Sequence, residues 1–254
     1  MHQLPTEQQI LLALEIGTLA CLCVRMWRSG LHKIYTSFFV YLVLQFLQAL
    51  IPFCVPFRSP LYRDLYVLSR MLILIFCALV VLELYTVVLH DLGGIAGIAR
   101  RYIKVTLALG IALSLLPLGF EKAPDTPTGY LFILERPILS TLVVLILLIS
   151  AFLVYYPIPL GWNVIACLAG YAVYCSAVAT TVLLENMGYS WNREASNVDM
   201  GVCVACYVFW LFALSRRGEQ KRVVVGHQWN PGDDQRLMMQ LEAINASLLR
   251  SRGK

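Results

Sequence analysis

The stretch DLYVLSRMLILIFCALVVLELYTVVL, residues 64–89, decides the fold class. It is longer than the roughly 20 apolar residues that a helix needs to cross about 30 Å of hydrocarbon. It lacks the period-two alternation of a half-buried strand, and it is too long for a buried one. Arg70 stands toward its start and Glu83 toward its end. Ionisable residues inside a span are costly unless they find partners, so each is a starting point for a functional reading.

Six more segments read in the same way, near 8–26, 34–55, 102–119, 130–155, 161–185 and 197–215. The segment 102–119 is the shortest. The segment 130–155 is interrupted by Pro137 and is expected to tilt or kink there. Composition agrees: of 254 residues, 59% are hydrophobic and 14% charged. Soluble domains carry about 25% charged residues. Mean hydropathy is +0.71. A soluble globule would lack the polar residues to coat its surface. A disordered chain would be poor in apolar residues, and a transmembrane barrel would alternate with period two. The expected fold is all-α. Residues 1–215 form a polytopic membrane bundle of seven transmembrane helices, and 216–254 a short segment beyond it.

Cytoplasmic loops hold an excess of Lys and Arg. With the N-terminus outside, inner loops carry Arg25, Arg28, Lys33, Arg100, Arg101, Lys104, Arg216, Arg217, Lys221 and Arg222. Outer loops carry Arg58, Arg63, Lys122 and Arg193. Ten against four puts the N-terminus outside and the C-terminus in the cytoplasm. The net charge of +5 then faces anionic lipid and is no sign of nucleic acid. The opening MHQLPTEQQ has no basic run, so the first span is expected to be retained. Trp27, Trp162 and Trp210 fall toward the inner boundary. Tyr35, Tyr62, Tyr130, Tyr155, Tyr156 and Tyr189 lie near span ends, as in an aromatic belt.

The eight cysteines lie in spans or at their edges. Cys203 and Cys206 have CxxC spacing, but no second pair and no nearby His completes a metal site. Thiols used as small apolar side chains are the plainer reading. His2, His32, His90 and His227 are scattered. No HExxH, Walker A, GxSxG or Rossmann pattern occurs. No enzyme activity, metal or cofactor is therefore expected. No lysine lies within 197–215, which excludes a retinal Schiff base there.

The charges inside the spans are the most informative feature. At a rise of 1.5 Å per residue, Glu15 lies about 10 Å and Arg70 about 9 Å below the outer ends of their spans. Glu135 and Arg136 lie about 8–9 Å down by the same rise, and Asp199 is shallower. Five ionisable groups from four spans thus share one leaflet, with a formal sum of −1. Gln48 joins them in the outer half of its span, and Gln45 lies near the middle. One reading is a cavity open outward, in which Arg70 and Arg136 hold an anionic or hydrogen-bonding ligand and Glu15, Glu135 and Asp199 are partners. The other is an ion-pair network that fixes helix order. Glu83 is placed to answer Arg100 or Arg101. The segments 102–119 and 161–185 read as almost uniformly apolar, which argues against a polar path through the membrane.

Beyond the spans, 216–232 reads as a basic linker. Asp233 or Asp234 then opens a helix to about Leu249. Leu237, Leu241, Ile244 and Leu248 form one apolar stripe on it. That stripe suits the underside of the bundle, the lipid surface or a second copy.

Seven spans with an outside N-terminus and a cytoplasmic helix resemble the seven-span sensor regions of some bacterial histidine kinases, over residues 1–215. Leu82-Glu83-Leu84-Tyr85, followed by Gly94-Ile95-Ala96-Gly97-Ile98-Ala99-Arg100-Arg101, resembles a set of uncharacterised bacterial seven-span proteins. The resemblance implies a multi-pass protein of the bacterial cytoplasmic (inner) membrane, with the lipid bilayer as its first partner. The 39 residues after the last span hold neither a phospho-acceptor nor an ATP-binding domain. A sensor of this kind would pass its state to another protein. The expectation is a sensor or receptor that binds a small ligand at the outer cluster. Its C-terminal helix would meet a signalling partner or a second copy. The alternatives are a small-solute transporter and a structural membrane subunit.

Overall fold

A computed structural model describes residues 6–56, 59–88, 127–155, 158–186, 192–220, 222–225 and 238–244. Six long helices carry most of them: α1 (Thr6–Ser29), α2 (Thr36–Cys54), α3 (Pro60–Val88), α4 (Pro127–Tyr155), α5 (Trp162–Asn186) and α6 (Asn192–Ala213). They overlap six of the expected spans, and 102–119 lies outside the described residues. Four stretches are long and apolar enough to cross a membrane: Glu7–Ser29, Thr36–Cys54, Pro60–Val88 and Trp162–Thr181. The apolar stretches Pro137–Ala151 and Asn197–Ala213 are shorter. The helix α4 continues through Pro137, and the Thr141 hydroxyl donates to the Pro137 carbonyl at 2.8 Å.

Each of these helices packs on the next, α6 returns to α1, and α3 meets α5 across the ring. Its core holds Leu19, Leu22, Phe38, Tyr41, Tyr171 and Trp210. Gln45, Glu135 and Asn163 are buried among the apolar residues. By contrast, Leu61, Leu65, Leu68, Leu72, Ile75 and Leu79 stand exposed along α3. Their spacing of four and three residues makes one outward stripe. Polar inside and apolar outside suits lipid, where backbone and side-chain polar groups must be satisfied within the protein.

Contacts near helix ends set the directions. Gln8 donates to Asn197 at the starts of α1 and α6 (3.1 Å), and Arg25 reaches the Leu214 carbonyl at their ends (3.1 Å). These two neighbours run parallel. Arg70 and Glu135 pair near the starts of α3 and α4, so that pair is parallel too. One end of the ring therefore collects the starts of α1, α3, α4 and α6, and is here termed the charged end. The other is the tail end.

At the tail end, Gly30 takes a left-handed φ of 76° just after α1, a conformation that costs glycine little. The residue before α2, Tyr35, supplies no side-chain cap. Glu83 of α3 does so instead, accepting from the Ser37 and Phe38 amides at 3.0 and 3.1 Å. A carboxylate suits the positive end of a helix.

The chain also forms a two-stranded antiparallel sheet, an addition to the all-α expectation. Strand β1 (Ile158–Gly161) pairs with β2 (Arg222–Val225), Ile158 opposite Val225 and Gly161 opposite Arg222. Three consecutive valines favour the extended state, and Pro159 is tolerated in so small a sheet because every strand is an edge. The start of the tail is thus docked on the bundle rather than a free linker. Two aromatic assignments change as well. Tyr35 and Trp210, read as boundary residues, are fully buried in the core, whereas Trp27 and Trp162 are exposed. Residues 238–244 are helical, with Leu241 half-buried and Ile244 exposed. Leu237 and Leu248 lie outside the described residues.

At Gly170, α5 and α6 pack with no room to spare. A Cβ on Gly170 would stand 2.4 Å from Trp210 Nε1, whereas one on Gly201 meets nothing within 4 Å. Gly170→Ala is expected to displace the indole and to cost about 1–3 kcal/mol, as overpacking does. The measurement is the thermal unfolding midpoint in lipid nanodiscs. Gly201→Ala should leave that midpoint in place, and a Gly170→Ala midpoint equal to wild type would refute this packing.

Candidate functional site

The charged end is built around Arg70 and Glu135. Arg70 Nε donates to Glu135 Oε1 at 2.9 Å, and a second guanidinium N–H reaches the same oxygen. Glu135 is 1% exposed, and the Arg70 side chain 19%. Glu15 of α1 and Asp199 of α6 lie within electrostatic reach of each other and of Arg70. Asp199 Oδ1 is buried with no hydrogen-bond partner among the described residues. The Thr181 hydroxyl is within hydrogen-bonding reach of the Asp199 carboxylate and also donates to the Ala177 carbonyl at 3.1 Å.

Four of the predicted residues, Glu15, Arg70, Glu135 and Asp199, thus come together from α1, α3, α4 and α6. Similar depth on separate helices becomes proximity because the four helices enter the ring at the same end. The side chain of Arg136 lies outside the described residues. Gln48 is half-buried and makes no hydrogen bond among the described residues. Gln45 belongs elsewhere: its amide donates to the hydroxyls of Tyr41 (3.0 Å) and Tyr174 (2.8 Å).

Those tyrosines were not foreseen as part of a site. Tyr174 lies within electrostatic reach of Arg70. From it, rings lead toward the tail end: Tyr174 to Tyr41 at 6.0 Å, Tyr41 to Tyr171 at 5.6 Å, and Tyr171 to Trp210 at 6.0 Å between centroids. The segment 161–185 is therefore not uniformly apolar in its inward face. Tyr171 and Tyr174, three residues apart, share a helical face, and that spacing was the available signal.

A second polar group closes the tail end. Glu219 Oε1 accepts from the Tyr35 hydroxyl and from Asn163 Nδ2, both at 2.7 Å. Asn163 also clasps Ser215, donating to its carbonyl (2.8 Å) and accepting from its amide (3.1 Å). Glu83, expected to answer Arg100 or Arg101, caps α2; those arginines lie outside the described residues. Cys203 and Cys206 are buried in the core with free thiols. Among the described residues, no group of three His, Cys, Asp or Glu side chains is placed to hold a metal ion.

No family model, curated protein or solved structure matches the chain.

The four clustered side chains, Glu15, Arg70, Glu135 and Asp199, sum to −2, with three carboxylates against one guanidinium. Arg70 is already committed to Glu135. What the cluster has to offer a ligand is the carboxylates of Glu15 and Asp199, which accept hydrogen bonds or face a cation. Of the two arginines expected to hold a ligand, Arg70 is thus occupied by Glu135, and the Arg136 side chain lies outside the described residues.

Breaking one side of a buried pair leaves an uncompensated charge and costs about 3–5 kcal/mol, whereas replacing both by apolar residues is often neutral. Arg70→Leu and Glu135→Leu are each expected to lower the unfolding midpoint sharply. The double variant should recover most of the loss. Additive losses in the double variant would mean that the two groups do not depend on each other.

Proposed function

We propose that this chain is a seven-span protein of the bacterial cytoplasmic membrane, N-terminus outside, that acts as a sensor or receptor. Its ligand is a small molecule bearing a cationic or N–H donor group, received by Glu15 and Asp199 at the charged end. The C-terminal helix carries the resulting state to a partner protein or a second copy. The observation that carries this reading is Asp199 Oδ1, buried beside a completed ion pair and itself unpartnered among the described residues. A buried carboxylate oxygen with no donor is costly, and it is retained most readily where a ligand supplies the missing hydrogen.

The seven-span count draws support from helix direction. Neighbours α3 and α4 run parallel, so the chain between them must return along the bundle. The sequence between them contains the apolar run 102–119, which lies outside the described residues. The docked tail supports the output role, because Leu214, Ser215 and Glu219 are tied to α1, to α5 and to Tyr35 just before α2. The column of tyrosines and Gln45 favours a second reading, a small-solute transporter, since it continues the polar lining past the charged end.

Thermal stability in nanodiscs, screened against small amines, guanidines and neutral metabolites, tests the receptor role. A ligand of the folded state adds about 2.7 kcal/mol at a hundredfold excess over its Kd. The expected hit stabilises wild type and not a folded Asp199→Asn variant. No hit with any compound would favour a structural subunit. Uptake of the hit into proteoliposomes would favour the transporter. Orientation has its own test. Cys54 is exposed at the charged end, so a membrane-impermeant maleimide should label it in intact cells and should fail on Cys54→Ser. Labelling only after permeabilisation would invert the topology.

A further inference from the structure

The tail end carries a groove of about 640 Å³ that runs between α1 and the first residues after α6. Its floor is the outward face of α1 at Ala20, Cys21 and Val24, and its rim is Arg25, Arg28 and Arg216. Among the described residues, none of the three arginines forms a salt bridge. The nearby carboxylate, Glu219, is taken by Tyr35 and Asn163. Arg25 uses Nε and one terminal nitrogen on the Leu214 carbonyl, at 3.3 and 3.1 Å. That bond aims the guanidinium at the start of the tail and leaves further N–H donors. Ser215 lines the same groove. Its oxygen accepts from the Gly218 amide at 3.1 Å, which leaves its own O–H to donate. Trp27, 62% exposed, stacks on His32 one turn away, where an aromatic marks the level of lipid headgroups.

We infer that this groove holds the headgroup of one anionic phospholipid, its phosphate among Arg25, Arg28 and Arg216 and an acyl chain along Ala20, Cys21 and Val24. Three guanidiniums with no acidic counterpart among the described residues call for an anion, and Arg recognises phosphate through paired N–H donors. The apolar floor continues from the arginines toward the middle of the bundle. It suits an anion with a hydrocarbon tail and has nothing to offer free phosphate. The bound headgroup would bridge α1 to Ser215 and Arg216, and so hold the tail against the bundle. This inference rests on the membrane-spanning reading of the chain, and not on the ligand role of the charged end.

The test uses the full chain in neutral detergent micelles, titrated with dioleoylphosphatidylglycerol, dioleoylphosphatidylcholine or inorganic phosphate. Retained lipids are counted by native mass spectrometry, and the unfolding midpoint is followed in parallel. Arg28 and Arg216 are exposed, and among the described residues neither side chain makes a hydrogen bond or ion pair. Arg28→Gln with Arg216→Gln should therefore fold, and Lys33→Gln serves as a charge control outside the groove. The expected result is one tightly retained phosphatidylglycerol on wild type, with a raised midpoint. The double variant should lose at least tenfold in apparent affinity, while Lys33→Gln keeps it. An equal response to inorganic phosphate overturns the inference in favour of a free-anion site. An unchanged response in the double variant, or an equal loss in Lys33→Gln, overturns it in favour of diffuse adsorption. A failed ligand screen at the charged end leaves all of these outcomes readable.

Discussion

The ion pair between Arg70 and Glu135 is the constraint around which the bundle is arranged. A carboxylate that is 1% exposed, on a helix surrounded by apolar residues, has few ways to be tolerated. Arg70 meets that need through two donors to one oxygen. Because the partners sit about as deep in α3 as in α4, the pair holds the two helices in register. Direction follows from the short connections and from the contacts at the helix ends, with Asn163 at the start of α5 held to Ser215 just after α6. The exposed stripe on α3 then faces outward as a consequence, since Arg70 on the opposite face is held by Glu135.

At the other end a different logic applies. There the backbone groups, rather than charges, need partners. The first amides of α2 are met by Glu83 instead of by a local cap. Asn163 gives both ends of its amide to Ser215, in the manner of a backbone pairing. Gly218 leaves room for that clasp, since a Cβ there would stand 2.2 Å from Asn163 Oδ1. The sheet between β1 and β2 completes the seal. Each device satisfies polar groups with groups from another element, as a surround without water requires.

Length and hydropathy were enough to place all six long helices, because a run of about 20 apolar residues has few other fates. Depth along each helix was legible too, since the rise per residue is constant. Rotation about the axis was not. It decides that Gln45 turns to Tyr174 while Glu15 and Asp199 turn to Arg70, and it depends on packing with residues remote in sequence. The tyrosines were hidden for a related reason. Tyr35 near a span end reads as an interfacial anchor, and only the position of Glu219 turns it inward. The strand pairing of 222–225 with 158–161 was equally invisible, because a four-residue valine-rich run in a basic segment has no periodicity to read.

The two ends are joined by α1 and α6, which run parallel through the bundle. Each carries a carboxylate of the charged end, Glu15 or Asp199, and each reaches the tail end, through Arg25 or Leu214. A helix of 22 residues spans about 33 Å and is stiff along its axis. A ligand that draws Glu15 and Asp199 together, or parts them, therefore has a direct mechanical route to the contact between Arg25 and Leu214. That contact is a good place for a two-state element, because it is made of two long hydrogen bonds to one carbonyl and is flanked by a basic groove. An ion pair kept only for helix order would need Arg70 and Glu135 alone. The two further carboxylates, Glu15 and Asp199, sit on α1 and α6, and both of those helices reach the tail end.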